Sequence, residues 1–303
     1  MLAVDIGGTK LAAGLVDHDG SLLAHRQTRT AEKGGADALF DSLTRLVDEV
    51  RGGSPAEPVA CGVGCGGPMT AGGEAVSPLN IPAWRDFPLR GRLARHIRLP
   101  TAVDIDAKAL ALGEGWVGAA RGVDDYLAMV VSTGVGGGIV LDGRMLDGTD
   151  GNAGHIGHVI VEPGGRLCSC GARGCLEAEA SGRNIEEMLG RPAAEAPLEV
   201  RQHTGTVVGR AVASVANLLD LRLAVVAGSV ALGFGDDFFR AAQAEVDRSA
   251  RLAYSAGTVI RPAGLGSDGP LIGAAAVARR ALALEMSSSG RGRSVETTPE
   301  SAS

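Results

Sequence analysis

Aromatic residues make up only 3% of this 303-residue chain. That excludes a core built on ring stacking and leaves the aliphatic side chains to do the work. At 45% hydrophobic overall there are enough of them for one large or two ordinary domains, which excludes a disordered chain. An excess of positive charge is also missing: 29 Lys and Arg stand against 35 Asp and Glu, a formal net charge of −6. Without a global basic field, nucleic acid is not an expected partner. Long apolar runs are absent too. The longest, near Leu223 to Phe234, is broken by glycine and falls short of the roughly 20 residues of a membrane span. The opening Met1-Leu2-Ala3-Val4-Asp5 has no positively charged leader segment, so a cytoplasmic protein without a membrane partner is expected. Cysteine is scarce and odd in number, five in all, with Cys61 and Cys65 far from Cys168, Cys170 and Cys175. A secreted disulfide framework would not be arranged in this way.

Glycine, by contrast, is abundant: 46 residues, about twice the usual share. The glycines have no three-residue period and gather in short clusters, as tight turns and ligand loops do. The stretch 2–6 reads as a strand that enters Gly7-Gly8-Thr9-Lys10 and returns through 11–16. The stretch 126–131 repeats the design, passing through Ser132-Thr133-Gly134-Val135-Gly136-Gly137-Gly138 into 139–141. Two such units predict an internally duplicated α/β architecture with a cleft between its halves. Helical spacing of Leu39, Phe40, Leu43, Leu46, Val47 and Val50 predicts a helix over 36–50, and further helices are expected over 89–97, 107–119, 207–219, 236–250 and 272–286. A strand and a glycine loop are expected over 58–67, strands over 101–103 and 223–226, loop-rich chain over 148–174, and a disordered tail over 287–303, where apolar residues almost vanish.

Two constellations carry chemistry of their own. Asp5, delivered by a strand into Gly7, Gly8, Thr9 and Lys10, gathers backbone N–H groups, a hydroxyl and an ammonium at one point, as a polyphosphate requires, and Asp5 can hold hydrated Mg²⁺. A lone Gly-Gly is equally an ordinary hairpin turn; the second glycine tip weighs against that alternative. Farther on, Cys-x-Cys-x4-Cys at Cys168, Cys170 and Cys175, with His158 upstream, supplies the four ligands of a closed, structural Zn²⁺ site. Ser169, Gly171, Arg173 and Gly174 make this segment a polar turn, unlike three thiols in an apolar core. A metal there would order a loop too poor in apolar residues to order itself, and so aim His158 and Glu177 at the cleft.

In order along the chain, Asp5-Ile6-Gly7-Gly8-Thr9-Lys10, Asp106 followed by Ala109-Leu110-Ala111-Leu112-Gly113-Glu114, Ile156-Gly157-His158 and the Cys168–Cys175 knuckle resemble the motifs of the ROK family of sugar kinases, glucokinases and related repressors. The resemblance runs from about residue 2 to about 285. It implies an actin-like, hexokinase-type ATPase fold of two α/β domains around a cleft: a smaller one at 1–117, joined by the C-terminal helix 276–286, and a larger one at 118–275. It further implies an ATP-dependent kinase acting on the primary hydroxyl of a hexose or close analogue, working as a homodimer or homotetramer. Asp106 would accept the hydroxyl proton, although an Asp at a helix start is also an ordinary cap. Gly7, Gly8, Thr9, Lys10, Thr133 and Gly134 would bind phosphates, and Gly228, in Ala227-Gly228-Ser229-Val230, would lie on the adenosine side. His155, His158, Glu177 and Asn80 would hold the sugar, and Trp84 is read either as a wall of the pocket or as core.

The sequence departs from the family pattern at the sugar. Many members read Glu-Asn-Asp-Ala-Asn where this chain has Asp104-Ile105-Asp106-Ala107-Lys108, and a Glu usually stands where His155 does. Ile105 has no group to hydrogen-bond a hydroxyl, and an imidazole replaces an acceptor-only carboxylate. A C7-cyclitol or an amino sugar such as N-acetylmannosamine is therefore an alternative substrate, and a non-catalytic sugar sensor a more distant one. The family's repressors carry a helix-turn-helix segment ahead of the phosphate motif, and the reading leaves no room for one before Asp5.

Overall fold

A computed structural model describes residues 1–30, 34–54 and 57–291, with side chains to 286. Among them are two five-stranded sheets. The first contains β1 (Leu2–Ile6), β2 (Lys10–Val16), β3 (Leu22–Arg29), β4 (Cys61–Cys65) and β5 (Thr101–Ile105), in the order β3-β2-β1-β4-β5. The second contains β6 (Tyr126–Val131), β7 (Val135–Leu141), β8 (Arg144–Met145), β9 (Leu223–Ala227) and β10 (Val259–Pro262), in the order β10-β9-β6-β7-β8. Read from the other edge, the second order is the first repeated. Each half starts with an antiparallel meander and then adds two parallel strands beside its opening strand. The expected duplication is thus present at the level of topology.

The helices are α1 (Gly35–Gly52), α2 (Leu89–Ile97), α3 (Asp106–Val117), α4 (Leu176–Ala180), α5 (Gly182–Leu189), α6 (Leu198–Leu219), α7 (Ser229–Phe234), α8 (Asp236–Ser249) and α9 (Gly269–Arg291). The apolar residues that predict α1 are all buried, and they lie against the first sheet's meander. Truncating one of them, such as Leu43→Ala, would cost about 2–5 kcal/mol. The strands β1, β4 and β9 are buried almost throughout and, Asp5 apart, carry no charged side chain, as strands covered on both faces do.

Two helices join the halves. The helix after the first sheet's last strand, α3, packs on β6 and β7 of the second sheet; the helix after the second sheet's last strand, α9, packs on β1 and β4 of the first. They meet where neither has a side chain: a Cβ on Gly113 would come within 3.0 Å of the Gly273 Cα. Glu114, fully buried, fastens the same junction. Its carboxylate accepts the N–H groups of Ala119 at 2.6 Å, Gly264 at 3.0 Å and Leu265 at 3.1 Å.

Several boundaries differ from the sequence reading. The strand expected within 58–67 occupies Cys61–Cys65, ahead of its glycine loop, whereas the short strand at 101 continues to Ile105, directly into α3. The final helix runs to Arg291 and so replaces the start of the tail expected from 287; the rest of that tail, 292–303, lies outside the described residues. Trp84 is core: fully buried, stacked on Phe87 at 4.5 Å, its indole N–H donating to the Ala36 carbonyl at 3.1 Å. No described helix is long and apolar enough to cross a membrane.

Candidate active site

Both glycine tips open at the ends of their sheets' central strands. In the first, the Gly7 N–H closes the turn on the Lys10 carbonyl at 2.9 Å. Thr30, just beyond β3, braces it: its N–H donates to the Thr9 carbonyl at 3.0 Å and its hydroxyl to the Gly7 carbonyl at 2.7 Å. With these carbonyls engaged inside the protein, the Thr9 and Lys10 side chains stand exposed on the rim. In the second tip the Ser132 N–H donates to the Gly134 carbonyl at 2.9 Å, while the start of α5 donates its Gly182 N–H to the Ser132 carbonyl at 2.7 Å. Thr133 is exposed. Gly228 opens α7 beside this tip with φ of +103°, and any Cβ there would lie 2.3 Å from the Val131 carbonyl oxygen, so only glycine fits. The Ser132 and Ser229 hydroxyls are 3.0 Å apart.

Two carboxylates lie below the first tip. A Cβ on Gly64 would be 3.7 Å from the Asp106 Cα and 3.8 Å from Asp5 Oδ1, so both acids flank one glycine of β4. Burial pushes the Asp5 carboxyl up to about 7; the nearby Asp106 charge adds to the rise and Lys10 opposes it. Asp106 is exposed at the surface, yet the protein packed around its carboxyl desolvates it. That enclosure raises its pKa, against the Ala107 N–H bond to Oδ1 at 2.7 Å and the influence of His155. Asp106 is the first residue of α3 and bonds only its neighbour's N–H, so it does not make the N2 or N3 contact of an ordinary cap.

The residues expected around a sugar meet beside this pair. Asn80 lies against Gly8, where a Cβ would come within 2.9 Å of its side chain. Gly67 sits between Ile105 and His155, with their nearest carbons 3.7 and 3.9 Å from where its Cβ would be. The His155 and His158 rings are 6.2 Å apart. Burial, then the neighbouring His158, lowers the His155 pKa, while Asp106 and Glu177 oppose this; near neutral pH its ring is uncharged, one nitrogen donating and the other accepting. Glu177, in the first turn of α4, accepts the Val135 N–H at 3.2 Å and so reaches the second glycine tip.

His158, Cys168, Cys170 and Cys175 form a cluster whose ligand atoms all lie within 4.8 Å of one another. Cys170 and Cys175 sulfurs are 3.7 Å apart, and Cys168 Sγ is 3.8 Å from His158 Nδ1. A tetrahedron of thiolates at the Zn–S distance has edges of about 3.8 Å, so the donor set fits a closed tetrahedral metal. The knuckle is tied to what it would steady. The Leu176 N–H at the start of α4 donates to the Val159 carbonyl at 2.9 Å, one residue past His158.

Sequence reasoning missed Thr30, Glu114's role as a tie between the halves, and Lys108. Lys108 alone had a visible signal, a charged residue inside the apolar run Ala107 to Leu112.

A family model described as the ROK family matches residues 1–281. The chain is 39% identical over 191 residues to a glucokinase of Thermotoga maritima, an alignment that spans 62% of this chain and 59% of that protein. It is 39% identical over 250 residues to the N-acetylmannosamine kinase of Citrobacter koseri, covering 77% of this chain and 84% of that one. Among solved structures, the ROK family glucokinase of Streptomyces griseus in complex with glucose and AMPPNP superposes with a TM-score of 0.80 at 30% identity, covering 92% of this chain and 99% of that chain. The two sheets and their exchanged helices are thus those of the actin-like, hexokinase-type ATPase fold.

Proposed function

The chain belongs to the ROK family, and from that premise we propose that it is an ATP-dependent sugar kinase that phosphorylates the primary hydroxyl of a hexose or hexose-like substrate. One observation carries the reading: Asp106 opens α3 beside Asp5 at the first glycine tip, and the next residue of α3, Ala107, lies against Gly136 of the strand that leaves the second tip. Phosphoryl transfer needs positioning and charge stabilisation more than covalent chemistry. Asp106 takes the proton of the hydroxyl as its oxygen bonds the γ-phosphorus and ADP leaves. Its raised pKa brings its basicity nearer the operating pH than an ordinary carboxylate's.

Gly7, Gly8, Thr9 and Lys10 hold phosphates from one side of the cleft, Thr133 and Gly134 from the other, and Gly228 lies toward the adenosine. Asp5 is placed to hold the water shell of a nucleotide-bound Mg²⁺, an ion that neutralises charge on the phosphates when bound. His158, Cys168, Cys170 and Cys175 hold a structural Zn²⁺, which braces the segment from His155 to Glu177. In this reading residues 1–117 and 276–286 form one lobe and 118–275 the other, in keeping with the packing of α9 on the first sheet. It carries with it a cytoplasmic homodimer or homotetramer.

His155, His158, Glu177 and Asn80 contact the sugar, and Ile105 lines it. Ile105 offers glucose no hydrogen bond, and a hydroxyl left unpaired there costs on the order of 1–3 kcal/mol. Glucose is therefore a poor acceptor. A second reading, an N-acetylmannosamine kinase, is favoured by the longer alignment with the Citrobacter koseri enzyme and by an apolar Ile105 that suits an acetamido methyl. ADP release measured over a panel of hexoses, N-acetylhexosamines and cyclitols separates the two readings. An active enzyme that prefers N-acetylmannosamine selects the second, and no release with any of them defeats both.

A further inference from the structure

Lys108 follows Asp106 by two positions on α3, and its side chain is 2% exposed. Its ammonium donates to Asp147 Oδ1 at 2.6 Å and to the Gly151 carbonyl at 3.2 Å, and forms an ion pair with Asp104 Oδ1 at 3.2 Å. Arg280, on α9, completes a quartet by bridging Asp104 at 3.3 Å and both oxygens of Asp147, the nearer at 2.5 Å. Two cations and two carboxylates cancel. Lys108 is buried, Asp104 nearly so, and the other two members are partly exposed, and neither a buried pair nor a solvent-screened one is strong evidence for stability. Its value must be looked for in geometry.

The geometry is specific. Asp104 is the last residue but one of β5, two before Asp106; Lys108 is the third residue of the helix that Asp106 opens. Asp147 and Gly151 belong to the second half, on the loop between β8 and the segment bearing His155. The Asp147 carbonyl also accepts the Ala153 N–H at 3.0 Å, closing this loop just before His155. The quartet therefore clamps both ends of the 147–151 loop to the base of α3. His155 leaves the clamp and meets Ile105 over Gly67.

Resting on the kinase reading above, we propose that Lys108 and Asp147 are positioning residues: with Arg280 and Asp104 they lock the His155 loop of one half to the Asp106 helix of the other, and so fix the imidazole at the sugar. Neither touches the substrate. They act through His155, and their effect should fall on the sugar and not on the nucleotide.

The test uses the full chain with Lys108→Gln and, in parallel, Asp147→Asn, whose side chain is 45% exposed and whose loss is the milder insult to folding. Each is expected to raise KM for the best sugar about tenfold with little change in KM for ATP, the scale expected of a small misplacement near the reacting atoms. In a His155→Ala background the same substitutions should add less than about twofold, since the two changes then act on one lost contact. Equal effects on both KM values, or full additivity with His155→Ala, would overturn the proposal. A second readout does not depend on turnover. In side-chain ¹⁵N spectra, with His155 assigned by its loss in His155→Ala, the His155 ring signals should shift or broaden in both variants while those of His158 stay put. Unchanged His155 signals in a folded variant would also overturn it. A wild type that turns over no sugar would instead defeat the kinase reading, and the ring spectra would still decide the clamp.

Discussion

In the first sheet the strand that enters the glycine tip ends Asp5-Ile6; in the second it ends Val130-Val131, and the two pairs occupy matching rungs of their antiparallel ladders. The backbone plan is copied and the chemistry is not. The first half keeps its acids, Asp5 and Asp106, around one glycine. The second carries the hydroxyls of Ser132, Thr133 and Ser229 at and beside its tip, and adds a cysteine knuckle and Glu177 that the first half lacks among the described residues. A duplicated scaffold can thus present two phosphate-sized tips and still divide the labour. In the kinase reading proposed above, the half with Asp5 and Asp106 handles the proton and a divalent cation, while the tip of the other half offers N–H groups and hydroxyls to the phosphates.

The division breaks most visibly at Asp106. Asp106→Asn should leave sugar binding intact by calorimetry while lowering kcat by about two orders of magnitude or more. Near-normal turnover by a folded variant would move the proton acceptor elsewhere. The next effect belongs to the second half. Metal analysis should find one zinc per chain, and stripping it should cost about tenfold or more in activity as the chain carrying His158 and Glu177 loosens. Active protein without zinc would make the knuckle irrelevant to the cleft.

A smaller change should come from restoring a donor and a carboxylate at the sugar. Ile105→Asn with His155→Glu should raise kcat/KM for glucose by about tenfold, each single change contributing less because the two contacts share one ligand. Wild-type efficiency on glucose that the double variant does not improve would show that these two positions do not set specificity.

The smallest effect expected is on stability. Asp5 titrates from the ordinary carboxylate value of 3.8 up to about 7 in the fold, so the folded state holds its proton more tightly than the unfolded chain. Its favourable contribution is full below about 4 and is lost as pH rises through about 7. In metal-free buffer Asp5→Asn should therefore melt a few degrees above wild type at pH 8, roughly 2–4 °C per kcal/mol, and level with it at pH 4. No pH dependence in the difference would argue that Asp5 is not buried as described.

What could be read from the sequence was local. The 3.6-residue period in α1, the two strand–glycine–strand units and the Cys-x-Cys-x4-Cys spacing each involve neighbours along the chain, and each corresponds to an observed element or cluster. The unread parts depend on partners far away. Glu114 bonds backbone groups 150 and 151 residues on, Lys108 reaches Asp147, and Thr30 holds Gly7 from across the meander. The strand β3 was missed because it is an exposed edge with charged side chains and little alternation, and β10 because it has only four residues. The sequence leaves Trp84 between pocket wall and core, and the fold decides for core by putting it beneath α1.

The central claim is that a single acid of the first half performs phosphoryl transfer to a sugar with both glycine tips holding the donor. Its most direct test is ADP release by purified wild type and Asp106→Asn, each with ATP and Mg²⁺ over the sugar panel. The account predicts sugar-dependent release by wild type, best with an acceptor other than glucose, and about a hundredfold less by the variant with sugar affinity unchanged. Release that is independent of sugar, or equal in the two proteins, would contradict it.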